Sequence, residues 1–544
     1  MERFVERETV GAYDLVIVGG GITGAAVAYD AALRGLSVAL VERQDFGGAT
    51  SAATSKLIHG GSRYLANYEF GLVRESLRER KTLSNIAPNF VYPQPVLVPL
   101  YDDRPDSERW KIKVGMFLYD LLSYDKRSTW DRRKRLPNHK MLSVPDVQRL
   151  APEIDGRGLH GGTVFYDCQS LCPERLTLAF VRSAVRAGAH VANYTQVDGF
   201  LRAEGNRVEG VRVRDLIYGR ELEIRAKLVV NCTGPWADIL LNTVTDGSSV
   251  STKVRCSEGI HLITRALVGE HMVACSSRRG NPVFLIPWRG HTLIGLTDSA
   301  YHGNPDDYTV TRAAIDELLT DVSDRLATPL RYEDVVYAYG GLRPLVDDSQ
   351  RGTRQSSRKY EICDNAEQGI EGLITVVGGK YTTSRNLAEQ VLQTVSKKLG
   401  RSLGECRTAH RYLDGCKIEN MDRFLADVAR TPGGFAASTL DWLGRHYGND
   451  VQQVLDLARH DAALAEPLNA DGEIAAQVVY AVRKEMAHTL LDVLLRRTGL
   501  GTLGYPGDDV TSRVAALMAR ELGWDDARRV QEMTLAKEAL RVPQ

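Results

Sequence analysis

The stretch Asp14-Leu-Val-Ile-Val-Gly-Gly-Gly-Ile-Thr-Gly24, followed by Leu36-Ser-Val-Ala-Leu-Val-Glu42, reads as one βαβ unit. Leu15 to Val18 is a short β-branched run ending on glycine, and Gly19-x-Gly21-x-x-Gly24 then opens a helix through Ala25 to Arg34. Gly19 permits a tight turn, Gly21 leaves room for a pyrophosphate against the backbone, and Gly24 lets helix and strand pack closely. Ile22 and Thr23 fall in the first helical turn, whose N–H groups and positive dipole end attract an anion. Gly35 ends the helix and the second strand runs from Ser37 to Val41. Glu42 closes that strand, with Arg43 beside it, where a carboxylate accepts hydrogen bonds from both ribose hydroxyls and repels a 2′-phosphate. The unit predicts NAD or FAD and argues against NADP.

The chain has 544 residues, room for roughly two to four domains. Lys+Arg and Asp+Glu each number 69, so no charge bias advertises nucleic acid. No signal-peptide pattern is visible, and the longest uncharged run near the start, Leu15 to Tyr29, is too short and Gly-rich to span a bilayer. These readings predict a cytosolic protein whose contact with a membrane is peripheral. The cysteines, at 168, 172, 232, 256, 275, 363, 406 and 416, read as reduced. Cys168 and Cys172 stand without a second Cys or His pair, so buried thiols are expected there and no metal site.

Signatures of βα units recur at 13–60, 160–235 and 335–395. The middle stretch carries a helix from Pro173 to Gly188 and a buried strand, Lys227-Leu-Val-Val-Asn-Cys-Thr-Gly-Pro-Trp236, breaking on Thr233 and Gly234. The third has the strand Leu373-Ile-Thr-Val-Val-Gly-Gly379 and a helix from about Thr382. Val283-Phe-Leu-Ile-Pro-Trp288 and His291-Thr-Leu-Ile-Gly-Leu296 read as antiparallel strands around a Gly turn, and 405–544 has helical period. The expected class is α/β plus α. A discontinuous Rossmann-like dinucleotide domain would take 1–95, 160–240 and 336–400, an antiparallel-sheet substrate domain 96–159 and 241–335, and a C-terminal α-helical domain 401–544.

A second motif, Gly47 to Leu65, follows the dinucleotide unit. Thr50, Ser51, Thr54 and Ser55 can set small donors against phosphate, ribityl and ring, and Lys56, Leu57, His59, Gly60 and Gly61 continue the turn. Gly378-Gly-Lys-Tyr-Thr-Thr-Ser-Arg385 runs from a strand into glycines, a cation and a helix N-terminus. Gly378, Gly379, Lys380, Tyr381 and Thr382 thereby suit the pyrimidine end of a flavin, where arriving hydride leaves negative charge. Arg63 follows Gly-Gly-Ser, and Arg343 sits in Tyr339-Gly-Gly-Leu-Arg-Pro-Leu345, where Pro344 stiffens the turn. Both suit a bidentate grip on phosphate or carboxylate.

Gly19 to Gly24, Thr54-Ser-Lys-Leu-Ile-His-Gly-Gly-Ser-Arg-Tyr64, Ser257-Glu-Gly-Ile-His261, Gly341-Leu-Arg-Pro344 and Gly378-Gly-Lys-Tyr-Thr-Thr383 together resemble the FAD-dependent glycerol-3-phosphate dehydrogenases of the respiratory, aerobic type. The resemblance extends over the whole chain. It implies FAD in a glutathione-reductase-like domain, oxidation of sn-glycerol 3-phosphate to dihydroxyacetone phosphate by hydride transfer from C2, and electron delivery to a membrane quinone. It also implies Arg63, Tyr64, His261, Arg343, Arg358 and Lys380 as substrate residues. Arg343 and Arg358 would hold phosphate, and Arg63 with Tyr64 would orient the substrate. His261 is the preferred base because an imidazole titrates near neutral pH, with Lys380 as the alternative. An oxidase using O₂, or a relative oxidising an amino acid or 2-hydroxy acid, is the competing reading.

The run Trp110-Lys-Ile-Lys-Val-Gly-Met-Phe-Leu-Tyr-Asp-Leu-Leu-Ser-Tyr124 leads into Lys126-Arg127 and Arg132-Arg-Lys-Arg135, placing apolar bulk beside cations. This suits an anionic membrane surface at the inner face of the cell membrane. A core helix followed by a solvated basic loop fits the same residues, as do contacts in a homo-oligomer.

Overall fold

The computed structural model describes residues 1–7, 10–102, 106–244, 254–346 and 360–544. β1 (Tyr13–Val18) and β2 (Val38–Val41) are joined by α1 (Ile22–Leu33). Gly21 is the N-cap residue of α1, so the glycine motif itself forms the first turn and the helix starts earlier than its apolar face implies. Leu15 and Ile17 pack with α1, whereas Val16 and Val18 point to the opposite side of the sheet, as the twofold period of a strand requires.

The first sheet runs Tyr360–Asp364, Leu373–Gly378, Glu221–Asn231, β1, β2, His190–Ala192. Neighbours are parallel except at the Tyr360–Asp364 edge. The chain leaves β1 toward β2 on one side and returns to Glu221–Asn231 on the other. Strand order therefore reverses at the carboxyl ends of β1 and Glu221–Asn231, where open α/β sheets bind their ligands.

The second sheet runs Ser299–Tyr301, Val254–Arg265, His291–Gly295, Pro282–Trp288, Met272–Ser276, Val91–Tyr101, Leu159–Ser170, Leu57–Ile58, with Val335–Val346 also paired to Val254–Arg265. Met272–Ser276 lies parallel to Val91–Tyr101, and the other pairings named are antiparallel. Arg289 (φ 48°) and Gly290 (φ 73°) close the expected two-residue hairpin, both in the left-handed region such a turn demands. Leu159–Ser170 and Val335–Val346, which the sequence reading groups with the nucleotide segments, are strands of this second sheet. Each is paired along nearly its whole length with another long strand, and an apolar pattern does not say which sheet a buried strand joins.

Helices α2 (Phe70–Ile86) and α3 (Asp106–Leu122) stand beside the second sheet, with Met116 and Tyr119 of α3 in one apolar cluster with Val96, Phe165 and Met272. The C-terminal region is helical, with Ala437–Tyr447, Val451–His460, Ala476–Glu485, Asp508–Leu522 and Asp526–Ala539 as its main elements and a π-helical segment at Asp492–Arg497. Leu490, Val493, Val514 and Met518 share a hydrophobic cluster with Ile286, Trp288 and Leu293 of the second sheet.

Candidate active site

A cavity of about 1070 Å³ begins at the switch point of the first sheet and extends beneath the second. At its first end Gly19, Gly21, Ile22, Thr23, Glu42 and Arg43 line the wall. A β-carbon on Gly19 would lie 2.6 Å from Cys232 O, and one on Gly24 would lie 1.9 Å from Gly19 O. Gly24 thus sits behind the wall and allows close packing, while Gly19 brings the motif against Cys232-Thr233-Gly234, of which all three line the cavity. Glu42 Oε2 accepts a hydrogen bond from Gly20 N at 2.6 Å and Oε1 accepts one from Gln44 N at 2.8 Å. Burial raises its pKa and those two donors oppose the rise. Arg43 pairs with Asp306 at 2.6 Å, and Trp236 Nε1 donates to the same carboxylate at 2.9 Å, joining the rims of the two sheets.

The loop of residues 48–55 crosses from one sheet to the other. Ser51 Oγ accepts from Ile22 N at 2.9 Å, and Thr50 Oγ1 donates to Leu342 O at 2.7 Å. A β-carbon on Gly341 would lie 2.5 Å from Ala53 Cβ, so the loop fits only because position 341 is bare. Thr50, Ser51, Thr54, Ser55, Leu57, His59 and Gly61 line the cavity. Lys56 is not in that wall; its ammonium is buried against Glu174. Gly60 is likewise behind it, donating from N to Asp167 Oδ1 at 3.0 Å.

The second sheet brings the two Gly-flanked motifs onto one ladder. Ser257 pairs with Arg343, Gly259 with Gly341, and His261 with Tyr339. Alternate residues share a face, so the arginine and the histidine project to the same side with a bare pair of glycines between them. Arg343 Nη1 donates to Glu258 O at 3.1 Å and to Ser257 Oγ at 3.3 Å, and Nη2 donates to Thr297 O at 3.2 Å. Asp298 Oδ1 lies 3.6 Å from Nη1 and accepts from Ser257 Oγ at 2.7 Å.

His261 is stacked on Tyr339, with ring centroids 5.0 Å apart, and Nε2 is 2.8 Å from Ser55 Oγ. Among the described residues its Nδ1 is buried without a hydrogen-bond partner. Burial, then the positive charges of Arg343 and Lys56, pushes its pKa well below the ordinary imidazole value. The ring therefore does not titrate near neutrality, which was the sequence-based reason for preferring it as base. It is neutral at pH 7 and keeps a lone pair.

At the far end Gly378, Gly379, Lys380, Tyr381 and Thr382 line the cavity. Lys380 Nζ lies 3.9 Å above the Tyr64 ring and donates to Ser76 Oγ at 3.1 Å. Gly61, at φ 72°, makes the turn that presents Tyr64. Tyr381 hydroxyl donates to Pro173 O at 2.5 Å. Arg358 lies outside the described residues, and so does the side chain of Arg63. Sequence reasoning missed Asp298 and Thr297, which carry no motif. Gly259 was visible as a glycine inside a strand, a pattern that marks close approach by another group.

The residues present fit an extended dinucleotide: a glycine cradle that β-carbons would block, a helix N-terminus whose cap residue is a bare glycine, a carboxylate at one end and a cation at the other. Fold and cavity define a dinucleotide-dependent oxidoreductase. The family model described as FAD dependent oxidoreductase matches residues 14–385, and that of the C-terminal domain of alpha-glycerophosphate oxidase matches 406–529. A glycerol-3-phosphate dehydrogenase of Synechocystis sp. is 34% identical over 540 residues, covering 96% of this chain and 95% of its own length. The aerobic glycerol-3-phosphate dehydrogenase of Staphylococcus aureus is 32% identical over 504 residues, covering 90% of this chain and 86% of its own length. The X-ray structure of the glycerol-3-phosphate dehydrogenase from Bacillus halodurans complexed with FAD matches with a TM-score of 0.78 at 28% identity, covering 97% of this chain and 94% of that one. This chain belongs to the glycerol-3-phosphate dehydrogenase family of FAD-dependent oxidoreductases, and its cofactor is FAD.

Proposed function

We propose that the protein oxidises sn-glycerol 3-phosphate to dihydroxyacetone phosphate and delivers the electrons to a membrane quinone. The observation that carries the substrate is the shared face of Arg343 and His261 on paired strands that also line the FAD cavity. FAD, when bound, supplies the acceptor for hydride from C2. Arg343, seated by Asp298, Ser257 and two backbone carbonyls, offers a fixed cation to the phosphate, with Arg358 as its partner. Tyr64 and Lys380, with Arg63, orient the glycerol end. His261, held neutral, takes the hydroxyl proton. Glu42, Ser51 and the α1 N-terminus hold the adenosine and pyrophosphate half, and Lys380 stands at the flavin half.

Peripheral docking is supported by α3. Trp110, Val114, Phe117 and Leu121 follow one helical stripe and are 68%, 52%, 62% and 59% exposed. Lys111, Lys113, Arg127, Arg132 and Arg135 are exposed nearby in the chain, whereas Lys126 and Lys134 of the expected cluster are buried, one on Asp120 and the other on the carbonyls of Pro88 and Val91. An apolar stripe facing outward and flanked by cations suits the inner face of an anionic bilayer rather than a core helix. Among the described residues no helix is long and apolar enough to cross a membrane.

The deciding experiment adds glycerol 3-phosphate to the purified FAD protein without oxygen and records the flavin spectrum. Bleaching is expected, followed by reoxidation with a quinone analogue. No bleaching overturns the substrate, and stoichiometric hydrogen peroxide with slow quinone reduction overturns the acceptor. Binding to anionic vesicles, lost in Phe117→Glu/Leu121→Glu, checks the docking surface, and undiminished binding by that variant refutes it.

A further inference from the structure

Among the described residues that line the catalytic end of the cavity none belongs to the C-terminal helical region, yet two of its arginines terminate on the loop that lines the cofactor end. We infer that this region is a clamp for FAD, acting through Arg496 and Arg497 on Asp45, which makes all three positioning residues for the cofactor.

Asp45 is buried, three residues beyond Glu42 and three before Gly48. Its Oδ2 accepts from Arg496 Nε at 2.6 Å and from Arg497 Nη1 at 2.8 Å. Its Oδ1 accepts from Arg497 Nη2 at 2.7 Å and from Asn193 Nδ2 at 3.1 Å. Burial alone would raise this carboxyl; Arg497 and Arg496 outweigh it and hold it below the usual carboxylate range. Both arginines lie in the π-helical segment Asp492–Arg497, a widened turn of the kind that collects at functional sites. Arg496 is held in turn by Asp492 at 2.6 Å, and Arg497 Nε donates to Glu485 O at 3.0 Å. Tyr194 hydroxyl also donates to Asp492 at 2.6 Å, so the network is tied to the nucleotide domain at two places.

What Asp45 anchors is the cofactor wall. Gly48 N donates to Asp45 O at 3.1 Å, Gly47 N donates to Gly20 O at 3.0 Å, and Ser51 Oγ holds Ile22 N at the start of α1. A β-carbon on Gly48 would lie 3.9 Å from Arg496 Cζ, so one guanidinium backs directly onto a residue that lines the cavity. Buried ion pairs gain little net stability over apolar packing, but they fix geometry. Here the geometry fixed is that of the loop running from the ribose carboxylate to the pyrophosphate turn.

Clamp and cofactor are reciprocally coupled: if the clamp favours FAD, FAD must tighten the clamp. The inference rests on FAD as cofactor and is independent of substrate and acceptor. The test titrates full-length apoprotein with FAD for wild type, Arg496→Gln and the charge-neutral double variant Asp45→Asn/Arg497→Met, and follows hydrogen exchange of amides 488–500 with and without FAD. Expected are a rise of at least tenfold in Kd for FAD in each folded variant, a smaller FAD-induced increase in Tm, and slower exchange at 488–500 in wild type when FAD binds. A purely structural role lowers the Tm of apo and holo forms equally and leaves Kd unchanged. That result, or exchange at 488–500 indifferent to FAD in the wild-type protein, overturns the clamp; the exchange measurement needs no variant to fold.

Discussion

A β-carbon at Gly259 would lie 1.7 Å from Nη2 of Arg343. The guanidinium occupies the space the missing side chain leaves, and its donors are aimed from there. Gly259→Ala should displace it without touching any other proposed substrate group. We expect kcat/KM for glycerol 3-phosphate to fall roughly ten- to hundredfold, the equivalent of about 1.5–3 kcal/mol for a charged hydrogen-bonding group. Steady-state kinetics at saturating FAD read this directly, and an unaltered KM would remove Arg343 from phosphate binding.

Asp298 steers the same arginine from behind, through Ser257 and its own carboxylate. Asp298→Asn keeps the size and loses the charge. KM should rise about three- to tenfold, within the roughly 1 kcal/mol of one hydrogen bond, while kcat changes less. A fall in kcat alone would mean that Asp298 acts on the chemistry and not on seating.

The pH dependence follows from His261. Its folded pKa is depressed, first by burial and then by Arg343 and Lys56, so folding favours the neutral ring. That contribution is fully present above the unfolded value of about 6.5 and is lost as pH falls from there through the folded pKa. His261→Asn should therefore lose less stability than wild type below about pH 6.5, by up to ~1.4 kcal/mol per pH unit. Denaturant midpoints across pH 7 to 5 measure it. The kcat/KM profile should also lack an inflection near pH 6.5 from this ring, and one abolished by His261→Asn would contradict the depressed pKa.

Glu174 and Lys56 form a buried pair, each side chain 5% exposed. Glu174→Gln strands the ammonium, and the cost should be about 3–5 kcal/mol of stability. Replacing both, as Lys56→Met/Glu174→Leu, should recover most of it. Chemical denaturation monitored by circular dichroism distinguishes the two variants, and equal losses would show that the charge itself is not what matters.

The β1–α1–β2 unit was legible because every determinant is local: glycines at fixed offsets, a helix between two apolar strands, and an acid at the strand end. His261 and Arg343 were legible as motif residues, although nothing in the sequence showed that they stand on paired strands. Their seating was not legible. Gly259, Thr297 and Asp298 act on Arg343 through strand register, which emerges only when the second sheet assembles. The Asp45–Arg497 contact joins residues from opposite ends of the chain and leaves no local pattern. For α3 the periodicity marks apolar positions around most of the helix, and only the packing decides which of them are covered. Met116 and Tyr119 turned out buried, and Phe117 and Leu121 exposed.

The position of α3 has a mechanical consequence. Ile112 and Met116 line the cavity, while Trp110, Val114, Phe117 and Leu121 face outward. The helix is thus a partition one element thick, and a helix with its side chains measures about 10–12 Å across. Close-packed interiors have low compressibility and transmit strain. A force on the outer stripe would reach the cavity lining through this one helix.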